Sequence, residues 1–165
     1  EIFQTVRAYS FAHQHQQHLK ENRDQLKQSV IWNAEKGMSL SALDMARAEG
    51  QRTALFGRMV KFFERYEFVC VPTTQVPPFS IDQEYPNEIN GKQLDTYIDW
   101  MGLCYAITVT GCPALSVPCG FTPEGLPVGL QIVGRPHADV PVLQLAHAFE
   151  QATRFYQRKP PIVAM

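Results

Sequence analysis

Apolar positions recur at helical spacing over the first third of the chain. Phe3, Val6, Ala8, Phe11 and Ala12 form a rough stripe that fades into the polar run from His13 to Lys20. Residues 23–35 read as a second, short helix stopped by Gly37. Ser41 then opens a long third helix. Asp44 stands three positions after it, the arrangement of a capping box with Asp in place of the usual Glu. Further along, Leu55, Met59, Phe62 and Tyr66 follow at intervals of four, three and four, which puts them on one face. Arg52, Arg58, Lys61 and Arg65 occupy the opposite face.

The period then changes. Phe68-Val-Cys-Val71 is a short run of β-formers stopped by Pro72. From Pro72 to about Leu94 the chain holds four prolines and an Asn90-Gly91 turn signal. Loops this long inside a compact protein are functional or disordered. Aromatic residues cluster next, at Tyr97, Trp100 and Tyr105. Residues 114–121 read as a strand, Thr122-Pro-Glu-Gly125 as a type I turn, and the residues after it as the returning strand. There Leu126, Val128, Leu130 and Ile132 alternate with Pro127, Gly129, Gln131 and Val133, giving one apolar face. Asp139 is the expected N-cap of a last helix, with Pro141 in its first turn. Val142, Leu145, Ala146 and Phe149 form its buried stripe, and Pro160 and Pro161 mark its end.

The pattern predicts an α/β fold in one domain. Residues 1–66 are mostly helical, 67–138 hold a strand, a long loop and a hairpin, and 139–165 are terminal helix and tail. Three strands make a thin sheet for this much apolar surface. The sheet is therefore expected to be completed by strands outside this chain or by a second copy of it.

Composition narrows the function classes. With 165 residues, 45% hydrophobic and 19% charged, the chain can bury a sizeable core. A formal net charge of −1 argues against nucleic acid or an anionic membrane as main partner. No run approaches the ~20 apolar residues of a membrane span. There is no signal-peptide pattern. The chain opens on Glu1 with a helical pattern running by Phe3, so it is expected to enter mid-protein. Cys70, Cys104, Cys112 and Cys119 make no Cys-x-x-Cys pair, which predicts free, buried thiols in a reducing, cytoplasmic setting.

Few residues suggest chemistry of their own. His13, His15 and His18 invite a metal reading, but no Asp, Glu or Cys stands near enough to complete a coordination sphere. A solvated helix face is the better reading. Ser116 and Cys119 are the nucleophile-like residues in a strand-turn context, yet Gly-x-Ser-x-Gly is absent. Pairing of Cys119 with His137 is the alternative to both simply packing in the hairpin. Gly120, Gly125, Gly129 and Gly134 are spaced too widely for a phosphate cradle, so no cofactor is expected.

Thr110-Gly-Cys-Pro-Ala-Leu-Ser-Val-Pro-Cys-Gly120, followed by Gly125-Leu-Pro-Val-Gly-Leu-Gln-Ile-Val-Gly134, resembles the C-terminal hairpin of the amidase signature family. Residues 143–150 resemble the helix after it, and Tyr66-Glu-Phe-Val-Cys-Val-Pro-Thr-Thr74 resembles the family's strand into a Pro-Thr turn. The resemblance covers the chain from about residue 41 onward. It implies the C-terminal part of a fold with a mixed sheet flanked by helices. It implies a parent that hydrolyses a small carboxamide to carboxylate plus ammonia or amine. In the family a serine nucleophile, a second serine held by a cis peptide and a lysine base do this work upstream of the hairpin. This chain has no Gly/Ser-rich Ser-Ser stretch, so no catalytic residue carries over and the isolated chain is expected to be inactive. What carries over is pocket lining by Ile98, Met101 and Tyr105, at i, i+3 and i+7, with core packing as the alternative. The family often has Asn where Thr108 stands, a longer side chain. A non-catalytic interaction module, or an amidotransferase-like subunit, is the alternative function. Association of copies through an exposed sheet edge is expected.

Overall fold

The computed structural model describes residues 1–159. Backbone packing divides the chain into two compact units, Glu1–Gly57 and the part from Arg58 onward.

The first unit is helical. Helix α1 runs Ile2–Glu21, a single 3-10 turn follows at Arg23–Gln25, and α2 runs Gln28–Met38. The second helix thus starts later than the pattern predicts, because Lys27 is extended and the turn at Arg23–Gln25 is separate. α1 and α2 pack around Ala8, Ile31 and Ala34, all buried. Gly37 does not stop α2 but sits buried within it. A Cβ there would overlap the Ala8 carbonyl and stand 2.8 Å from the Ala12 Cβ. Its missing side chain lets the two helices approach. The stop comes at Ser39, whose hydroxyl donates to the Lys36 carbonyl at 2.8 Å.

Helix α3 spans Ala42–Phe62. The capping box forms as read: the Asp44 amide donates to Ser41 Oγ at 3.2 Å, and the Ser41 amide donates to Asp44 Oδ2 at 3.0 Å. Tyr66 lies beyond the helix end, where its ring stacks on Phe62 at 4.6 Å.

The second unit is built on an antiparallel sheet of β1 (Phe68–Pro72), β4 (Ala114–Phe121) and β5 (Pro127–Gly134), in the order β1-β5-β4. Between β1 and β4 lie a small hairpin, β2 (Glu88–Ile89) and β3 (Lys92–Gln93), a 3-10 turn at Asp99–Met101 and helix α4 (Gly102–Thr108). The small hairpin turns on Asn90 and Gly91, both at positive φ (50° and 77°), as a type I′ turn requires. The large hairpin turns where predicted. The Gly125 amide donates to the Thr122 carbonyl at 2.9 Å, with Gly125 at φ 85°.

Register fixes the faces. Ile132 pairs with Cys70 on one side and Leu115 on the other, and Leu130 pairs with Pro72 and Val117. This face packs against α5 (Asp139–Thr153), where Val117, Ile132, Val142 and Ala146 form the core, with Phe68, Leu145 and Phe149 around it. The predicted stripe of the last helix is the buried one. Its cap is not the predicted one: Asp139 is the first helical residue, and Ala138 precedes it without a side-chain bond. α5 ends at Thr153 with Arg154 left-handed at φ 56°, before Pro160 and Pro161, which lie outside the described residues. The four thiols are free, but the expected burial fails: Cys70 is exposed and the other three are half-buried. Cys70 sits on β1, an edge strand with no partner on its outer side among the described residues.

Candidate functional site

The face of the sheet opposite α5 carries the polar chemistry. β1 continues into Thr73, whose amide donates to the Gly129 carbonyl at 3.0 Å. This ladder-like bond brings the Thr73 side chain beside Ser116 of β4. The two hydroxyl oxygens lie 2.7 Å apart, across Gly129 of β5. A Cβ at residue 129 would stand 2.7 Å from Thr73 Oγ1 and 2.8 Å from Ser116 Oγ. Glycine at the central strand is what allows the hydroxyls of the outer strands to meet.

An open cleft of about 630 Å³ lies over this pair. Pro72, Val76, Pro77, Phe79, Trp100 and Val128 give it apolar walls. Trp100 meets Phe79 edge-to-face at 5.5 Å between centroids. Its indole Nε1 is buried and has no acceptor among the described residues. The loop holding these residues is tied down from several sides. Thr74 Oγ1 donates to the Val76 carbonyl at 2.7 Å, the Leu103 amide donates to Gln75 Oε1 at 3.1 Å, and Cys104 Sγ donates to the Thr73 carbonyl at 3.2 Å.

A second cavity of about 380 Å³ is bounded by Gln75, Lys92, Asp95, Asp99, Gly102 and Tyr105. Asp99 is already engaged, accepting from the Thr96 amide at 2.8 Å and the Thr96 hydroxyl at 2.9 Å.

The three residues read as pocket lining separate here. Tyr105 lines the second cavity. Ile98 is 1% exposed, and Met101 is half-buried in the 3-10 turn. The change from 3-10 to α twist at Gly102 takes the three off a single helical face. Thr108 donates its hydroxyl to the Cys104 carbonyl at 3.0 Å, so it serves its own helix. Ser116 is engaged with Thr73, and among the described residues no hydrogen bond joins Cys119 to His137. His15 and His18 share a face of α1 with Nδ1 atoms 3.5 Å apart, while His13 does not join them. Neither shifted carboxylate lines these cavities, although Glu124 is bonded to Thr122, which borders the first. Hydrogen bonds from the Thr122 hydroxyl and its own backbone hold Glu124 below the ordinary range. Bonds from the Ser41 side chain and backbone, then the Arg47 charge, do the same for Asp44.

The sequence pattern does not single out Thr73, Gly129 or Trp100 as site residues. Thr73 stands in the Pro-Thr turn, but its partner is 43 positions away. Only the strand register brings the two together.

The second unit thus sets an antiparallel sheet between a helix on one face and a hydroxyl-bearing cleft with apolar walls on the other, an arrangement of the α/β class. The Amidase family profile matches residues 7–143, and the chain belongs to the amidase family, the amidase-signature proteins. Among curated relatives it is 36% identical over 114 residues to a glutamyl-tRNA(Gln) amidotransferase subunit from Thermodesulfovibrio yellowstonii, covering 69% of this chain and 22% of the relative. The corresponding protein from Moorella thermoacetica is 42% identical over 101 residues, 61% of this chain and 19% of the relative. The chain thus spans about a fifth of the length of these relatives. Among solved structures, a bacterial aryl acylamidase of the amidase-signature family superposes with TM-score 0.79 at 28% identity, over 91% of this chain and 32% of that one. Another amidase superposes with TM-score 0.83 at 26% identity, over 93% and 35%. The 6-aminohexanoate cyclic dimer hydrolase shares the fold, with TM-score 0.80 at 17% identity over 99% and 37%.

Proposed function

We propose that this chain is the C-terminal part of a cytoplasmic amidase that hydrolyses a small carboxamide to carboxylate plus ammonia or amine. A Ser–cis-Ser–Lys triad upstream of the chain performs the chemistry, and the chain supplies substrate-site wall and sheet. The observation that carries this is the family match over residues 7–143, joined to a sequence with no Gly/Ser-rich Ser-Ser stretch. Tyr105, at its cavity, contacts substrate, while Ile98 and Met101 hold that segment in place. The edge of β1 that is unpaired among the described residues is where the remaining sheet, or a second copy, adds. Identity to amidotransferase subunits favours a second reading, in which the whole protein works within a complex.

A fluorophosphonate serine-hydrolase probe tests the first reading. The 165-residue chain should keep its mass of 18.7 kDa, while the full-length protein takes one adduct upstream of Glu1. An adduct on this chain would overturn the assignment. In the same full-length protein, Tyr105→Ala should change the relative rates across a panel of amides by about tenfold. Unchanged ratios would remove Tyr105 from the site. A full-length protein that turns over amides only after a partner is added would favour the second reading.

A further inference from the structure

We propose that His15 and His18, near the C-terminal end of α1, form a chelating site for a zinc ion or a similar tetrahedral divalent ion. The site lies wholly within the helical unit and does not depend on the amidase reading.

The separation of the two rings carries it. Their Nδ1 atoms lie 3.5 Å apart. Hydrogen bonds from nitrogen cluster near ~3.0 Å, so at this distance a direct bond between the rings is weak. A metal accounts for the spacing better. Two zinc–nitrogen bonds of about 2.1 Å at the tetrahedral angle put their nitrogens ~3.4 Å apart. An octahedral or square ion, with ligands at right angles, would want ~3.0 Å. Each ring can offer a lone pair at Nδ1, because a neutral imidazole can carry its proton on Nε2 instead.

The helix arranges this geometry. Spacing of three residues brings His15 and His18 onto one face, whereas His13 is two residues from His15 and falls elsewhere. The Phe11 ring packs against His15 at 5.2 Å between centroids, and the His15 and His18 rings follow at 5.7 Å. The Arg7 guanidinium lies 4.3 Å from the Phe11 centroid, which extends the stack by another turn. His15 is half-buried, while His13 and His18 are exposed, so the pair is held on one side and reachable from the other. His18 stands in the last turn of α1, where the carbonyl end of the helix favours a cation. Among the described residues no third His, Cys, Asp or Glu joins the pair, and Glu21 is bonded to Gln17 at 3.1 Å. Water therefore completes the sphere, and the ion is exchangeable rather than locked in. Bound there, it cross-links adjacent turns and holds the end of α1 against fraying.

The imidazole nitrogens supply the test. In the 165-residue chain labelled with ¹⁵N-histidine, zinc chloride should move the Nδ1 resonances of His15 and His18 together, saturating at one ion per chain. The His13 resonances should stay in place. His15→Gln and His18→Gln assign the peaks, and each should weaken zinc binding by at least the ~10-fold that losing a supporting contact alone costs. His13→Gln should leave it unchanged. Glutamine is a good helix former, so circular dichroism of the variants should match that of the unaltered chain. In the unaltered chain zinc should also slow hydrogen exchange of the last amides of α1, a readout that needs no variant. Magnesium, which takes oxygen ligands, should do neither. Shifts spread evenly over the five histidines, no saturation, or a His13→Gln effect equal to the other two would overturn the proposal. Zinc would then be held only loosely by a histidine-rich run.

Discussion

Ser41 is exposed and Asp44 half-buried, and together they decide where α3 begins. Each side chain satisfies the other's backbone amide and the two also bond each other, Ser41 Oγ donating to Asp44 Oδ2 at 2.7 Å, so removing either side chain loses one amide bond and this shared one. The Ser41 side-chain bond, then its backbone bond, then Arg47 keep the Asp44 carboxyl below its ordinary value of 3.8. A carboxyl depressed in the folded state stabilises it above the unfolded value, and that stability is lost as pH falls through the folded value. The first turn of α3 should therefore fray as pH drops below about 4. Ser41→Ala should raise the Asp44 titration midpoint toward the ordinary carboxylate range and speed exchange of the first-turn amides. A carboxyl ¹³C titration of Asp44 reads this directly, and an unmoved midpoint would show that the hydrogen bonds do not set it. This site is legible in the sequence because its two partners are three residues apart.

Among the elements, legibility follows sequence distance. The large hairpin can be read because its turn joins adjacent strands and its alternation assigns a face. Gly37 reads as a stop in the sequence but is none in the fold, because its role depends on Ala8, which lies on another helix. The Thr73–Ser116 pair escapes the sequence for the same reason, since neither strand encodes its register with the other. The Gly37 contact predicts opposite outcomes for one substitution at two helical glycines. Gly50 lies in α3 with nothing within 4 Å of where a Cβ would stand. Gly50→Ala should stabilise by up to about 1 kcal/mol through helix propensity. Gly37→Ala gains the same propensity but must part α1 from α2, an overpacking cost of ~1–3 kcal/mol. It should destabilise on balance. Urea unfolding of the two variants checks this, and a Gly37→Ala midpoint at or above the original would mean the helices separate freely.

At the scale of the whole molecule, the sheet has two edges of unequal kind. β4 carries Pro118, which has no amide to donate, and a register shift between Pro118 and Gly120. Both features discourage a further strand. β1 has no such guard until Pro72, its last residue, and no strand pairs its outer side among the described residues. Apolar surface is also left uncovered at Phe56, Val60, Phe62 and Tyr66. The chain spans 22% of the length of a relative it matches, and in a parent of that length other segments would have this surface available to cover. Alone, the 165-residue chain should self-associate through β1. Exposed Cys70, in the middle of that strand, allows the cause to be isolated. Cys70→Ser removes any intermolecular disulfide but keeps the edge, so it should leave the association intact under sedimentation. Cys70→Lys places a solvated charge on the edge, and should shift the population toward monomer. If Cys70→Ser alone yields monomer, the thiol and not the strand joins the copies. If the unaltered chain sediments as a single monomer and unfolds cooperatively, β1 does not recruit a partner, and the expectation of a sheet completed from outside falls with it.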